Sequence, residues 1–428
     1  MEWYSGGIII RISFNLKILL AASRSAGHWG SVMRIFVAIQ AQVLKNTFHH
    51  PPNMGLGYSI IAKPLLAIQD SEKAHSRALK LLRMMVSNPI TRSSVSLMYK
   101  PSKRIPTTRF GLDFKNPFGI AAGMDKRAEA LRGWESLGLG FMEIGGITML
   151  EQLGNPKPRM FRAGKSKALV NRMGFNNPGS EKTAIQLNKH FSKYGQPKIP
   201  LWINLGKSKL TELEDAAADY ATTMQRLWKY ADVFVINVSS PNTPNLRELQ
   251  KDDDLKEIIE SCKTVNESES KLHGGSLKPI LVKISPDLDD DQLIAIVNTA
   301  RSNGCNGIIA SNTTTSRPNE INGKEQGVFA QNGGMSGLPI QQKSTEMISK
   351  IYKMTNGEFP IVGVGGIMSG EDAWQKICAG ASLIQAYSGF VFEGASLTKQ
   401  VVNGIDKKMK QNGYSTLDQA IGSSHRGD

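Results

Sequence analysis

The sequence predicts an α/β protein, a (β/α)8 TIM barrel carrying a small two-helix extension at its N-terminal side. Three observations lead there. Short, almost continuously apolar runs recur eight times between Phe118 and Ser388, helical stretches separate them, and each run ends in a residue with chemistry to offer. Runs without polar alternation are strands buried on both faces, as in a parallel sheet covered by helices. Eight β/α units over about 300 residues suit a closed barrel better than an open doubly wound sheet.

The first 53 residues stand apart, with the single acid Glu2 against Arg11, Lys17, Arg24, Arg34 and Lys45. Such a basic leader reads as a transit peptide, or as the product of a start assigned too early with Met54 as the true start. Residues 54–100 read as a helical extension. SIIAKPLLAIQ and, after a cap at Asp70-Ser71, EKAHSRALKLLRMM give two amphipathic helices. In the second, Ala74, Ala78, Leu81, Leu82 and Met85 fall on one face, and Lys73, Arg77, Lys80 and Arg83 largely on the other. The pair either caps a barrel end or docks on a membrane surface. A Pro/Lys/Arg connector, Pro101 to Arg109, opens the barrel region, 101–412, and a polar tail, 413–428, closes the chain.

The eight strands are FGIAAG from Phe118, FMEIGG from Phe141, LWINLG from Leu201, VFVINV from Val233, ILVKIS from Ile280, GIIASN from Gly307, IVGVGG from Ile361 and SLIQAYS from Ser382. Glu214–Trp228, Asp290–Ala300, Ser344–Lys353 and Glu371–Ala379 supply crossover helices. Gly123, Asn204, Asn237, Lys283, Asn312, Gly366 and Tyr387 all fall at or just past strand ends, which in a barrel converge on one face.

Composition narrows the function classes. With 40% hydrophobic and 21% charged residues the chain is of globular type, and no stretch reaches the ~20 apolar residues of a membrane span. The net charge of +15 is spread without any run of five basic residues, which argues against a nucleic-acid partner. Cys262, Cys305 and Cys378 are isolated, so neither a disulfide framework, nor a cluster, nor a metal site is expected.

The residues themselves point to a phosphate and to a flat polar heterocycle. Gly363, Gly365 and Gly366 after the seventh strand, with Ser369-Gly370 opening a helix, and AYSG after the eighth make paired glycine turns suited to a phosphate. Lys126 and Lys283, set among apolar or small residues, must meet an anion: an internal carboxylate, or else an anionic cofactor ring and an anionic substrate. Asn171, Asn204, Asn237, Asn242 and Asn312 can both donate to and accept from a heterocycle. No His, Cys or carboxylate stands at a comparable strand end as a base, which leaves the hydroxyls of Ser239 and Ser240.

This combination resembles the class 2 dihydroorotate dehydrogenases, quinone-dependent flavoenzymes of pyrimidine biosynthesis. The matching elements, in family order, are NPFGIAAGMDK, EIGGIT, GNPKPRMFR, NRMGFNN, NLGKSK, NVSSPNTPNLR, VKISPDL, SNTTTSRP, GGMSGLP, IVGVGGI and AGASLIQAYSGF. The resemblance implies FMN on the C-terminal face, at Ala122, Gly123, Lys126, Gly146, Asn204, Asn237, Lys283, Ser311, Gly337, Gly366, Tyr387 and Ser388. It implies dihydroorotate, oxidised to orotate, at Lys126, Asn171, Arg172, Met173, Gly174, Phe175, Asn237, Asn242, Asn312 and Thr313. Ser240, at the position where class 1 members carry cysteine, becomes the base for the C5 proton, relaying it through Thr243 or water while hydride leaves C6 for flavin N5. Ubiquinone or menaquinone would enter near His75, Arg162 and Tyr387. The enzyme would then sit peripherally on the cytoplasmic face of a cell membrane, or on the mitochondrial inner membrane if residues 1–53 are a transit peptide.

Some positions depart from the family pattern. Gly146 stands where Ser or Thr is common, which removes one expected flavin hydrogen bond. Thr148-Met149-Leu150-Glu151 replaces a Thr-Pro turn, and Glu393-Gly394-Ala395-Ser396 a Pro pair. The rival readings are a class 1 type enzyme using a soluble acceptor, a phosphate-binding barrel isomerase or aldolase with Lys283 as a Schiff-base amine, and a non-enzymatic membrane-surface protein.

Overall fold

All eight apolar runs are strands of one closed parallel barrel. The structure, a computed structural model, describes residues 70–243 and 245–426. The basic leader, the first expected helix of the extension and Pro244 therefore lie outside the described residues. In chain order the barrel strands are β1 (Phe118–Ile120), β2 (Phe141–Ile147), β3 (Leu201–Leu205), β4 (Val233–Asn237), β5 (Ile280–Lys283), β6 (Gly307–Ala310), β7 (Ile361–Val364) and β8 (Leu383–Ala386). Each pairs in parallel with the next, and β8 pairs with β1 through Ile384 and Phe118 to close the ring. The four expected crossover helices form, at Ala216–Leu227, Asp290–Ser302, Gln341–Met354 and Gly370–Cys378. Two long ones that the sequence reading passed over form as well, at Gly179–Tyr194 and Asp252–His273.

Side chains alternate across each strand, and the inward set changes character along the barrel axis. Low in the barrel, Phe141, Trp202, Val233, Val235, Leu281, Ile309, Val362 and Leu383 form a closed apolar core. Phe141 and Trp202 stack with centroids 4.3 Å apart. The hairpin Thr107–Arg109/Leu112–Phe114 covers that end, Phe114 meeting Phe141 and Trp202 edge-on. Two residues further along the same inward faces the side chains turn polar: Phe141 gives way to Glu143, Trp202 to Asn204, Val235 to Asn237, Leu281 to Lys283 and Leu383 to Gln385. The outward residues join the helices in a second, larger core. The barrel is thus sealed below and chemically equipped above.

The N-terminal region differs from expectation in two respects, an additional helix at Pro89–Tyr99 and the face that the preceding helix turns to the barrel. Its described helices are α1 (Ser71–Met85), capped by the Asp70 carboxylate on the Lys73 amide, and α2 (Pro89–Tyr99), capped by Asn88 with Pro89 in its first turn. The face of α1 turned to the barrel carries Ala74 and Leu79, with Leu82 and Met85 part-buried against the core. Ala78 and Leu81, assigned to that face from the sequence, are exposed. The bidentate ion pair of Glu72 with Arg159 (2.7 and 3.1 Å) sets the helix rotation, because it fixes which side meets the loop ahead of Met160.

The stretch 413–428, set apart in the sequence as a polar tail, packs on the barrel as far as it is described. Leu417 and Ala420 are buried, Asp418 pairs with Arg109, and His425 stacks on Tyr352.

Candidate functional site

A cleft of about 1010 Å³, counted to its open mouth, lies over the polar end of the barrel. A three-stranded antiparallel sheet, Met160–Ala163, Ala168–Asn171 and Gly334–Gly337, forms part of its wall. The sequence reading did not anticipate these strands, since four-residue segments of mixed burial leave little periodicity to detect.

Most of the expected cofactor residues line this one cleft: Ala122, Gly123, Lys126, Gly146, Asn237, Lys283, Ser311, Gly337, Gly366, Tyr387 and Ser388. So do the expected substrate residues Asn171, Met173, Gly174, Phe175, Asn242, Asn312 and Thr313, together with Ser240. Sequence reasoning missed Ser336, Ile340, Val364, Ile367 and Met160, whereas Gly365 of the expected glycine turn does line the cleft. Ser336 Oγ lies 2.8 Å from Ser388 Oγ, so two hydroxyls meet where the glycine turns converge. Gly366 has φ +74°, and a Cβ there would come within 2.4 Å of Gln341, so that backbone conformation and close approach need glycine. Backbone amides, two hydroxyls and glycines at one end, with an ammonium and carboxamides at the other, fit a phosphate-bearing, flat, polar cofactor.

Five expected residues lie off the cleft wall. Asn204 is buried beneath it, accepting from Asn237 Nδ2 at 3.0 Å and donating to Glu143 at 2.6 Å. Arg172 turns away to Gln331 and the Pro158 carbonyl, its guanidinium 4.8 Å over the Phe161 ring. Thr243 is buried, and its hydroxyl has no hydrogen-bond partner. Arg162 sits on the strand against which α1 packs, two residues beyond Met160. His75 stacks on Tyr387 at 6.3 Å and 10° between planes, which joins α1 to the cleft through an aromatic pair. Burial holds the His75 imidazole down to about 4, so it is neutral near pH 7.

The carboxamides form two hydrogen-bonded groups. Asn312 Nδ2 reaches Asn237 Oδ1 and Ser239 Oγ, and Asn242 Nδ2 reaches Asn171 Oδ1 at 3.3 Å. Asn242 Oδ1 is left buried without a donor, an acceptor that a ring N–H would satisfy. Ser240 Oγ accepts from the Asn242 backbone N–H at 3.3 Å. Arg247 holds the loop, bonding the Ser239 and Thr313 carbonyls and Asp287. Lys126 Nζ donates to Asn176 Oδ1 at 2.9 Å. Burial lowers the Lys126 ammonium to about 8, Arg159 and Arg127 adding to the effect and Glu72 opposing it.

At Gly146 the structure accounts for the departure noted in the sequence. An added Cβ would lie 2.7 Å from the Phe175 ring, so that ring occupies the space a serine or threonine side chain would need.

Fold and cleft together define a barrel enzyme with its site at the C-terminal ends of its strands. A profile of the family described as "Dihydroorotate dehydrogenase" matches residues 104–409. The "Dihydroorotate dehydrogenase (quinone)" of Gloeobacter violaceus is 43% identical over 362 residues, covering 85% of this chain and 98% of that protein. The protein of the same name from Synechococcus elongatus is 40% identical over 380 residues, covering 86% and 98%. Among solved structures, the dihydroorotate dehydrogenase of Eimeria tenella in complex with ferulenol superposes with a TM-score of 0.75 at 34% identity, over 83% of this chain and 96% of that one. The chain belongs to the dihydroorotate dehydrogenase family, to its class 2 or quinone-dependent branch. A flavin is the cofactor this family implies.

Proposed function

We propose that the protein oxidises dihydroorotate to orotate with FMN as its flavin and a membrane quinone as the final acceptor. The observation that carries this reading is the convergence of Ser240, Lys283, Lys126 and the asparagine set on the single cleft that also holds the glycine turns. FMN, when bound, supplies a two-electron acceptor that quinone can reoxidise. Its phosphate would rest on the Gly337, Gly366 and Ser388 backbone and on the paired hydroxyls of Ser336 and Ser388, and its polar edge on Asn237 and Lys283.

The remaining chemistry belongs to the chain. Lys126 pairs with the substrate carboxylate, and Asn171, Asn242 and Asn312 read the ring amides, Asn242 through its unpartnered oxygen. Ser240 takes the C5 proton. Serine is a weak base, and the Asn242 N–H donated to its oxygen favours negative charge there. Thr243, with its hydroxyl unpartnered in the same loop, is the relay toward water. Purified protein should reduce quinones with dihydroorotate and leave fumarate and NAD unreduced; turnover with either soluble acceptor at the quinone rate would favour the class 1 reading.

A pH dependence follows from Lys126. Its ammonium is present below about pH 8 and lost above it, so the carboxylate partner disappears as pH rises. KM for dihydroorotate is expected to climb up to tenfold per unit above about pH 8, with kcat at saturation largely retained. A KM that stays flat from pH 7 to 9.5 would remove Lys126 from carboxylate binding.

The quinone approaches, in this reading, between α1 and the cleft, where His75 stacks on Tyr387. Exposed Leu81 and Met84 on α1 and Ile90 and Leu97 on α2, with Lys73 and Lys80 nearby in sequence, support peripheral docking on a membrane. No helix among the described residues is long and apolar enough to cross a membrane.

A further inference from the structure

Glu143 is a carboxylate enclosed in the barrel, fully buried on β2, and it takes no direct part in the chemistry set out above. Its Oε1 accepts from Asn204 Nδ2 and its Oε2 from Gln385 Nε2, both at 2.6 Å. Two accepting oxygens are the arrangement of an ionised carboxylate. Lys283 Nζ lies 3.8 Å from Oε1, and Lys283 lines the cleft whereas Glu143 does not. The lysine therefore stands between a buried negative charge below and the cofactor site above. Strands β2, β3, β5 and β8 each contribute one member of this cluster, so its geometry is fixed by the barrel itself.

We propose that Glu143 sets the reduction potential of the bound flavin by partly cancelling, from beneath the site, the positive charge that Lys283 presents to it. Adding two electrons and one proton to the oxidised isoalloxazine leaves a net negative charge on the ring. An ammonium close by stabilises that charge, and a carboxylate behind the ammonium opposes it. Glu143 is thus a positioning and charge-balancing residue acting through Lys283. The inference rests on the flavin reading given above.

Glu143→Gln separates charge from shape. The new amide needs an acceptor opposite Gln385, and Gln385 Oε1 has no hydrogen-bond partner, so a half-turn of that amide keeps both hydrogen bonds. The measurement is the two-electron midpoint potential of the holoenzyme at fixed pH, together with flavin content. Expected is a rise in Glu143→Gln equivalent to at least tenfold in the equilibrium constant for flavin reduction, about 30 mV for a two-electron couple. Gln385→Met, which removes a hydrogen bond and keeps the charge, should remain near wild type. If Glu143→Gln does not fold, Glu143→Asp, with the charge set back by one methylene, should shift in the same direction by less. A potential in the folded Gln or Asp variant that is unchanged or lower overturns the proposal, as does an equal shift in Gln385→Met. Wild-type protein that holds no flavin would overturn the cofactor reading itself, a result visible before any variant is made.

Discussion

Ser240→Ala is expected to slow reduction of the flavin by dihydroorotate by roughly 10²–10⁴-fold, the range that a positioned proton acceptor contributes. Ser240 is 7% exposed and lines the cleft, so its hydroxyl faces the substrate space while the rest of the residue is enclosed. Removing one oxygen leaves Lys126, Asn171, Asn242 and Asn312 in place, so orotate affinity should change little while the half-reaction collapses. Stopped-flow bleaching of the flavin measures the first quantity and titration with orotate the second; an undiminished rate would sink the assignment. Ser240→Cys offers a further arm. A thiol titrates near 8.5, so its rate should rise with pH through that value, a dependence a purely structural role would not produce.

The fold was legible because parallel-barrel strands are buried on both sides, so each shows as an unbroken apolar run, and the turn from strand to helix exposes its polar end. The same rule explains what was missed. Glu143 sits in the middle of FMEIGG, and a reading that treats the run as apolar passes over its one charged residue, although an acid there must meet a partner. Had the inward positions been followed strand by strand, Glu143, Asn204, Lys283 and Gln385 would each have fallen on the inward face two residues past the apolar core. The rotation of α1 was misread because Ala78 and Leu81 are as apolar as Leu79; the contact of Glu72 with Arg159, distant in sequence, decides which side is covered. Arg172 follows Asn171 just past the end of its strand, and its guanidinium is held away from the cleft by Gln331 and the Pro158 carbonyl, partners distant in sequence that no local pattern announces.

Lys283→Met should show the second large effect, and it has two separable parts. Loss of the ammonium removes the stabilisation of negative charge on the reduced flavin, and a preorganised group of that kind contributes about 10²–10³-fold in rate. Flavin reduction should fall by that factor and the midpoint potential should drop. The same change strands the Glu143 carboxylate in the barrel with its two amide donors alone, and breaking a buried pair from one side costs about 3–5 kcal/mol. The melting temperature should therefore fall as well. Lys283→Met/Glu143→Gln distinguishes the two losses, because it removes both charges at nearly constant volume. Stability should return toward wild type, since no uncompensated ion remains, while flavin reduction should stay slow, since the cleft still lacks its cation. If the double variant regains rate along with stability, Lys283 acts only by holding the barrel together. If it regains neither, the cost lies in packing around the methionine. Recovery of stability alone assigns the lysine to the flavin and Glu143 to the lysine.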